Sequence, residues 1–175
     1  MFNHDRVLSI SRSEKPSPSQ PIPLIPIKSD LISVKSLAKF EITDFACGRN
    51  HTVAITDKTE VYSWGDGEMV PLGYGKTKGR IEWVPREIPS LIGAEVVKVS
   101  VGEKHTVLLT RSGRVLCFGS GKYGRCGVGE GMEMDVLKPR VVDSLLGRRI
   151  IHIAAGRDFT WAVDSQNNYF NFGHG

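Results

Sequence analysis

ACGRNHT (46–52), VGEKHT (101–106) and AGRDFT (155–160) are three versions of one phrase. Their glycines, Gly48, Gly102 and Gly156, are separated by 54 residues each time. A second phrase keeps the same interval: VYSWGDG (61–67), VLCFGSG (115–121) and YFNFGHG (169–175). There Gly65, Gly119 and Gly173 form one series, and Gly67, Gly121 and Gly175 another. Between the first two units further positions agree. Gly73 and Gly75 match Gly127 and Gly129, Pro85-Arg86 matches Pro139-Arg140, and Leu91 and Gly93 match Leu145 and Gly147. So many positions held at one interval mark a repeat architecture, in which each unit buries its apolar faces against its neighbours.

Each unit reads as strands. Ile42–Cys47, Val96–Val101 and Ile150–Ala155 are short apolar runs rich in β-branched residues, each closed by a glycine. After the short loop come VAIT (53–56), VLLT (107–110) and WAVD (161–164). Turns follow at DKTE (57–60), RSGR (111–114) and SQNN (165–168), where Gly113 and Asn167 hold equivalent places suited to a positive φ. The next strand alternates, with Trp64, Phe118 and Phe172 on one face and Ser63, Cys117 and Asn171 on the other. A fourth short strand is expected at Arg86–Ile88 and Arg140–Val142, behind a proline that suits only an edge or a strand start. Four antiparallel strands repeated in this way form a propeller blade. The expected fold is all-β, a partial β-propeller of about two and a half four-stranded antiparallel blades. The blades fall at about 42–95, 96–149 and, incomplete, 150–175.

The combination of G-x-x-H-T, aromatic-G-x-G, L-G-x-G and a later proline resembles the regulator of chromosome condensation repeat family over residues 40–175. Two departures stand out: Phe159 occupies the motif histidine position, and Cys126 replaces the leucine seen as Leu72. The resemblance implies a seven-bladed closed ring, so additional blades or self-association are expected of this chain. It also implies that one propeller face engages a protein. In the name-giving member, an exchange factor for the small GTPase Ran, acidic and histidine residues of the G-x-x-H loops contribute. By motif position the candidates here are Arg49, Asn50, Glu103, Lys104, Arg157 and Asp158.

Residues 1–30 hold more than half of the nine prolines, mixed with Ser, Lys and short aliphatics. This composition buries little apolar surface and suggests a flexible N-terminal tail before the repeats of 31–175. The 23 basic side chains are interspersed with 19 acidic ones. Nucleic acid is thus an unexpected partner, because its binding faces cluster Lys and Arg. The short basic stretches Arg148-Arg149 and 76–80 read as solvated turns. Cys47, Cys117 and Cys126 form no CxxC pattern, which favours a reducing compartment, cytoplasmic or nuclear. The Arg- and Ser-bearing start leaves a mitochondrial presequence open. No apolar run approaches 18 residues, so no membrane span is expected.

His51 and His105 are the tempting catalytic pair, but each recurs with the repeat, without an adjacent nucleophile. A structural role is expected, each imidazole bonding to backbone within its own blade. The glycines Gly48, Gly65, Gly67, Gly102, Gly119, Gly121, Gly156 and Gly173 are assigned to close packing and tight turns. A dinucleotide site would need a βαβ frame that is missing. No cofactor or metal is expected, and Cys47 is read as a small buried hydrophobe. The function expected is a non-enzymatic protein-interaction module. The alternative is a guanine-nucleotide exchange factor or regulator for a small Ras-like GTPase such as Ran.

Overall fold

A computed structural model describes residues 33–67, 70–75, 81–129 and 134–175. The tail of 1–30 and the basic stretch 76–80 lie outside the described residues. Three antiparallel sheets follow one another along the chain. The first is β1 (Ile42–Cys47), β2 (His51–Thr56), β3 (Val61–Asp66) and β4 (Ile81–Glu87), paired in that order. The second is β5 (Val96–Val101), β6 (His105–Thr110), β7 (Val115–Gly119) and β8 (Val136–Val141), again in order. In the third, β9 (Ile150–Ala155), β10 (Phe159–Asp164) and β11 (Tyr169–Gly173) repeat the first three strands. Helical structure among the described residues is limited to 3-10 turns of three residues.

The registers repeat as the sequence does. His51 pairs with Gly65, His105 with Gly119 and Phe159 with Gly173. Each β-turn is closed by the last residue of the strand before it. Thr56 Oγ1 accepts from the Glu60 amide (3.2 Å), Thr110 Oγ1 from Arg114 (3.0 Å) and Asp164 Oδ1 from Asn168 (2.9 Å). The left-handed positions are Gly113 (φ 85°) and Asn167 (φ 65°), as their residue types suggest, and also Thr59 (φ 62°). Thr59 carried no turn signature in the sequence.

Burial follows sheet order. β6 is buried at all six positions, since its sheet lies between the other two. In β10 burial alternates: Thr160 and Ala162 are covered by the second sheet and Asp164 by Arg148 and its own turn, while Trp161 on the opposite face is 43% exposed. Val53, Ile55 and Val61 of the first sheet join Val107, Leu108, Phe118 and Ala162 in one continuous apolar core. Burying a side chain the size of Phe118 contributes about 1.5–3 kcal/mol.

Two expectations are corrected. The outer strands begin before their prolines, at Ile81 and Val136. Opposite Trp64 and Phe118 the ladder bulges, from Ser63–Arg86 to Gly65–Glu82 and from Cys117–Arg140 to Gly119–Val136. Pro85 and Pro139 sit inside these bulges on an outermost strand, where a missing N–H breaks no ladder bond. Cys47 is exposed. It occupies the face of the first sheet that no other described sheet covers, whereas its equivalent Val101 packs against the core.

Candidate protein-binding face

The three G-x-x-[HF] loops are folded by two repeated backbone bonds. The amide of Gly48 donates to the carbonyl of His51 (2.8 Å), Gly102 to His105 (2.9 Å) and Gly156 to Phe159 (2.9 Å). The residue before the histidine position then accepts from the strand beyond: Asn50 from the Asp66 amide, Lys104 from Ser120 and Asp158 from His174, at 2.8, 2.6 and 3.0 Å. Close approach explains the glycines here. A Cβ on Gly48 would lie 2.6 Å from the Gly102 carbonyl oxygen, and one on Gly119, at φ 118°, only 2.5 Å from His105 Cα. Gly65, Gly102, Gly156 and Gly173 face comparable backbone or ring contacts. Gly67 is buried in the turn after β3. Gly121 takes an ordinary φ of −84°, so its backbone does not require glycine.

The histidines do not act within their own sheets, and that expectation is corrected. His51 Nε2 lies 2.7 Å from Thr106 Oγ1, and His105 Nε2 lies 2.9 Å from Thr160 Oγ1, each on the following sheet. The Thr160 hydroxyl already donates to the Arg125 carbonyl (2.9 Å), so it accepts from His105, which therefore carries its proton on Nε2. Burial pushes both imidazoles down to about 4, keeping them neutral. At the third such position Phe159 has no donor to offer.

Four of the six candidate partner-binding residues come together on this loop end. Arg49 Nη1 bonds Glu103 Oε1 (3.2 Å), and Arg157 Nε bonds Glu103 Oε2 (2.6 Å). Positions 49, 103 and 157 are the same repeat position, so opposite charges on successive loops form a ladder. The flanking arginine side chains are 72% and 77% exposed, while the central glutamate is sheltered at 15%. The Arg157 bond, with Arg49 behind it, holds the Glu103 carboxyl below the usual carboxylate range. Solvent screens surface pairs of this kind, so the ladder orients its groups more than it stabilises the fold. Arg157 also lies 3.6 Å from Asp158, whose other oxygen is 2.7 Å from Arg125 Nη1. The Asn50 and Lys104 side chains make no hydrogen bond or ion pair with the described residues.

Arg125 and its neighbours Lys122 and Tyr123 border this end and were missed in the sequence. The available signal was a basic residue inside an otherwise small and apolar motif, YGRCGVG (123–129). Cys117 and Cys126 are buried with their sulfurs 2.6 Å apart. They occupy the repeat positions of Ser63 and Leu72, which are also bonded to each other. Among the described residues no group of three or more His, Cys, Asp or Glu side chains could hold a metal ion. Nor is any described helix long and apolar enough to cross a membrane.

Successive antiparallel sheets with their loops gathered at one charged end define a β-propeller repeat protein. The family model "Regulator of chromosome condensation (RCC1) repeat" matches residues 59–109 and 112–163, and a second of the same description matches 42–69 and 96–125. The chain belongs to the RCC1 repeat family. It is 33% identical over 143 residues to the human probable E3 ubiquitin-protein ligase HERC4, covering 82% of this chain and 13% of that protein. It is 42% identical over 142 residues to human E3 ubiquitin-protein ligase HERC2, covering 80% of this chain and 3% of that protein. The chain thus spans a small part of these relatives' length. Prp20p of Saccharomyces cerevisiae, described with binding properties towards Gsp1p and histones, superposes with a TM-score of 0.64 at 24% identity. That match covers 78% of this chain and 31% of Prp20p, and it shows the shared fold.

Proposed function

We propose that this chain is a non-catalytic interaction module whose loop end binds another protein. The observation that carries the proposal is the Arg49–Glu103–Arg157 ladder, which sets charged groups from three successive loops side by side with exposed arginines on its flanks. Loops held by a rigid sheet scaffold are where binding residues concentrate. The histidines, which would be the natural bases of an enzyme, are spent on joining sheets.

The test is site-specific photo-crosslinking with the full chain. Benzoylphenylalanine at Asn50, whose side chain is not needed by the fold, should give a discrete adduct in extract from the source cells. The same group at Lys58, in the turn between β2 and β3, should not. Excess unlabelled chain should compete the adduct away. Equal labelling from both positions, or none from Asn50, overturns the proposal.

A small-GTPase partner is the finer reading. Its support is the fold shared with Prp20p, which has binding properties towards Gsp1p.

A further inference from the structure

We propose that the cleft where the loops of the second and third sheets meet takes a carboxylate side chain, from an acidic segment of a partner protein. The proposal rests on the loop-end reading above and gives it a chemistry. The cleft encloses about 180 Å³. Its walls are Lys104 from the β5–β6 loop, the segment after β7, and Arg157 with Asp158 from the β9–β10 loop.

Arg125 is the fixed element. Its side chain is only 3% exposed, its Nε donates to the Lys122 carbonyl (2.8 Å), and its own carbonyl accepts from Thr160. Nη1 is paired with Asp158 Oδ1 at 2.7 Å, which holds the guanidinium in the cleft wall. With Arg125 neutralised by Asp158, the two lysines carry the unpaired charge of the cleft. The charge count points the same way. Four cations, Lys104, Lys122, Arg125 and Arg157, face two anions, Glu103 and Asp158. Glu103 is already shared between two arginines, and neither lysine has an acidic partner among the described residues.

The rim supplies an aromatic contact. Tyr123 is 57% exposed, held in the left-handed region at φ 60°, and its ring lies 5.6 Å from that of His174. Non-glycine residues in that region persist where the surroundings fix them, often at binding sites. Tyrosine is also a favoured interface anchor, with an apolar body and a polar tip. Size separates the ligand classes. Small-molecule and cofactor pockets run to about 300–1,000 Å³, so this cleft holds a side-chain head rather than a nucleotide. The two carboxylates in its walls oppose a multiply charged phosphate. A single carboxylate can use Lys104 and Lys122, the two cations of the cleft with no acidic partner among the described residues.

Fluorescence anisotropy with the full chain tests this. The probes are a fluorescein-labelled eight-residue peptide of alternating Asp and Leu, its Asn and Leu counterpart, and labelled eight-nucleotide oligothymidylate. The Asp peptide should bind about tenfold more tightly than the Asn peptide at low salt, and weaken as salt screens the attraction. The double variant Lys104→Glu, Lys122→Glu should lose that advantage, while Lys58→Glu keeps it. Tyr123→Ala should weaken the Asp peptide without changing the melting curve, a check that the fold is intact. Equal binding of the two peptides, an unaltered double variant, or tighter binding of oligothymidylate overturns the carboxylate assignment. If the peptides fail while the Asn50 adduct still forms, only this assignment falls. If both fail, the interaction-module reading falls with it.

Discussion

Thr59 shows how a repeat can place a residue against its own preference. It shares a turn position with Gly113 and Asn167, and all three have positive φ, at 62°, 85° and 65°. A β-branched side chain in that region is a steric outlier, and the left-handed conformation costs about 1–2 kcal/mol for ordinary residues. Thr59→Asn, copying the third turn, should therefore raise unfolding stability by roughly 0.5–1 kcal/mol, because asparagine tolerates that conformation. Urea denaturation would show it, and an unchanged or lower midpoint would refute the strain. The cysteines differ in the same local way. Cys47 is exposed, whereas Cys117 and Cys126 are buried, and burial with Cys126 alongside pushes the Cys117 thiol well up. A thiol-reactive dye at pH near 7.5 should label one cysteine per folded chain and all three after denaturation. Rapid labelling at a second site would contradict the buried pair. Neither feature was legible in the residues, since threonine carries no turn signature and Cys47 differs from its equivalents only in what covers it.

Apart from the outer strands, the strands and turns were legible because they depend on local chemistry: β-branched runs, alternation at Trp64 and Phe118, and glycine at turns. Relations between sheets were not. His51 reaches Thr106 and His105 reaches Thr160, each one repeat plus one residue away, so spacing alone gives no reason to prefer a neighbouring sheet over the same one. The cleft residues Lys122, Tyr123 and Arg125 escaped because they lie outside the repeated phrases. The stitching has a consequence for pH. Each imidazole is pushed down to about 4 in the folded chain, against an unfolded value near 6.5. The unfolded state then binds more protons between these values. The stabilisation is complete above about 6.5 and is lost as pH falls towards 4. From pH 7 to pH 5 each histidine should cost roughly 2 kcal/mol of stability. Glu103 acts in the same direction further down, since its carboxyl is held low by Arg157 and its contribution goes as pH falls through its folded value. His51→Gln, whose amide can still hydrogen-bond Thr106, should remove about half of the histidine-linked slope. Denaturation curves at pH 5, 6 and 7 measure it, and an identical slope in the variant would count against the assignment.

On the scale of the whole molecule, both outer sheets leave apolar surface that the described residues do not cover. Phe45 (68% exposed), Cys47, Thr52, Ala54 and Trp64 line a groove of about 500 Å³ on the first sheet. The equivalent positions of the middle sheet, Val99, Thr106, Leu108 and Phe118, are buried. Trp161 and Tyr169 stand exposed on the third sheet. Exposed apolar patches of this kind promote association. Light scattering on the purified chain should report species larger than 19.3 kDa, and Phe45→Lys with Trp161→Lys should shift them towards the monomer. A monomer across the accessible concentration range, unaffected by the substitutions, would dispose of that expectation. The loop end sets a second whole-molecule property, its behaviour towards a small GTPase. A catalyst of nucleotide exchange must turn binding into displacement, through groups free to engage what holds the nucleotide. The acidic side chains at the repeated loop positions here are already engaged, Glu103 by Arg49 and Arg157, and Asp158 by Arg125. Recruiting them would mean breaking the ladder that orders the face. Release of a fluorescent nucleotide from Ran should therefore rise by less than about tenfold with the chain in excess, a barrier change below roughly 1.4 kcal/mol. A larger rise would promote exchange to the leading function. Its loss in Glu103→Ala, with the melting curve unchanged, would then place the responsible carboxylate in the middle of the ladder.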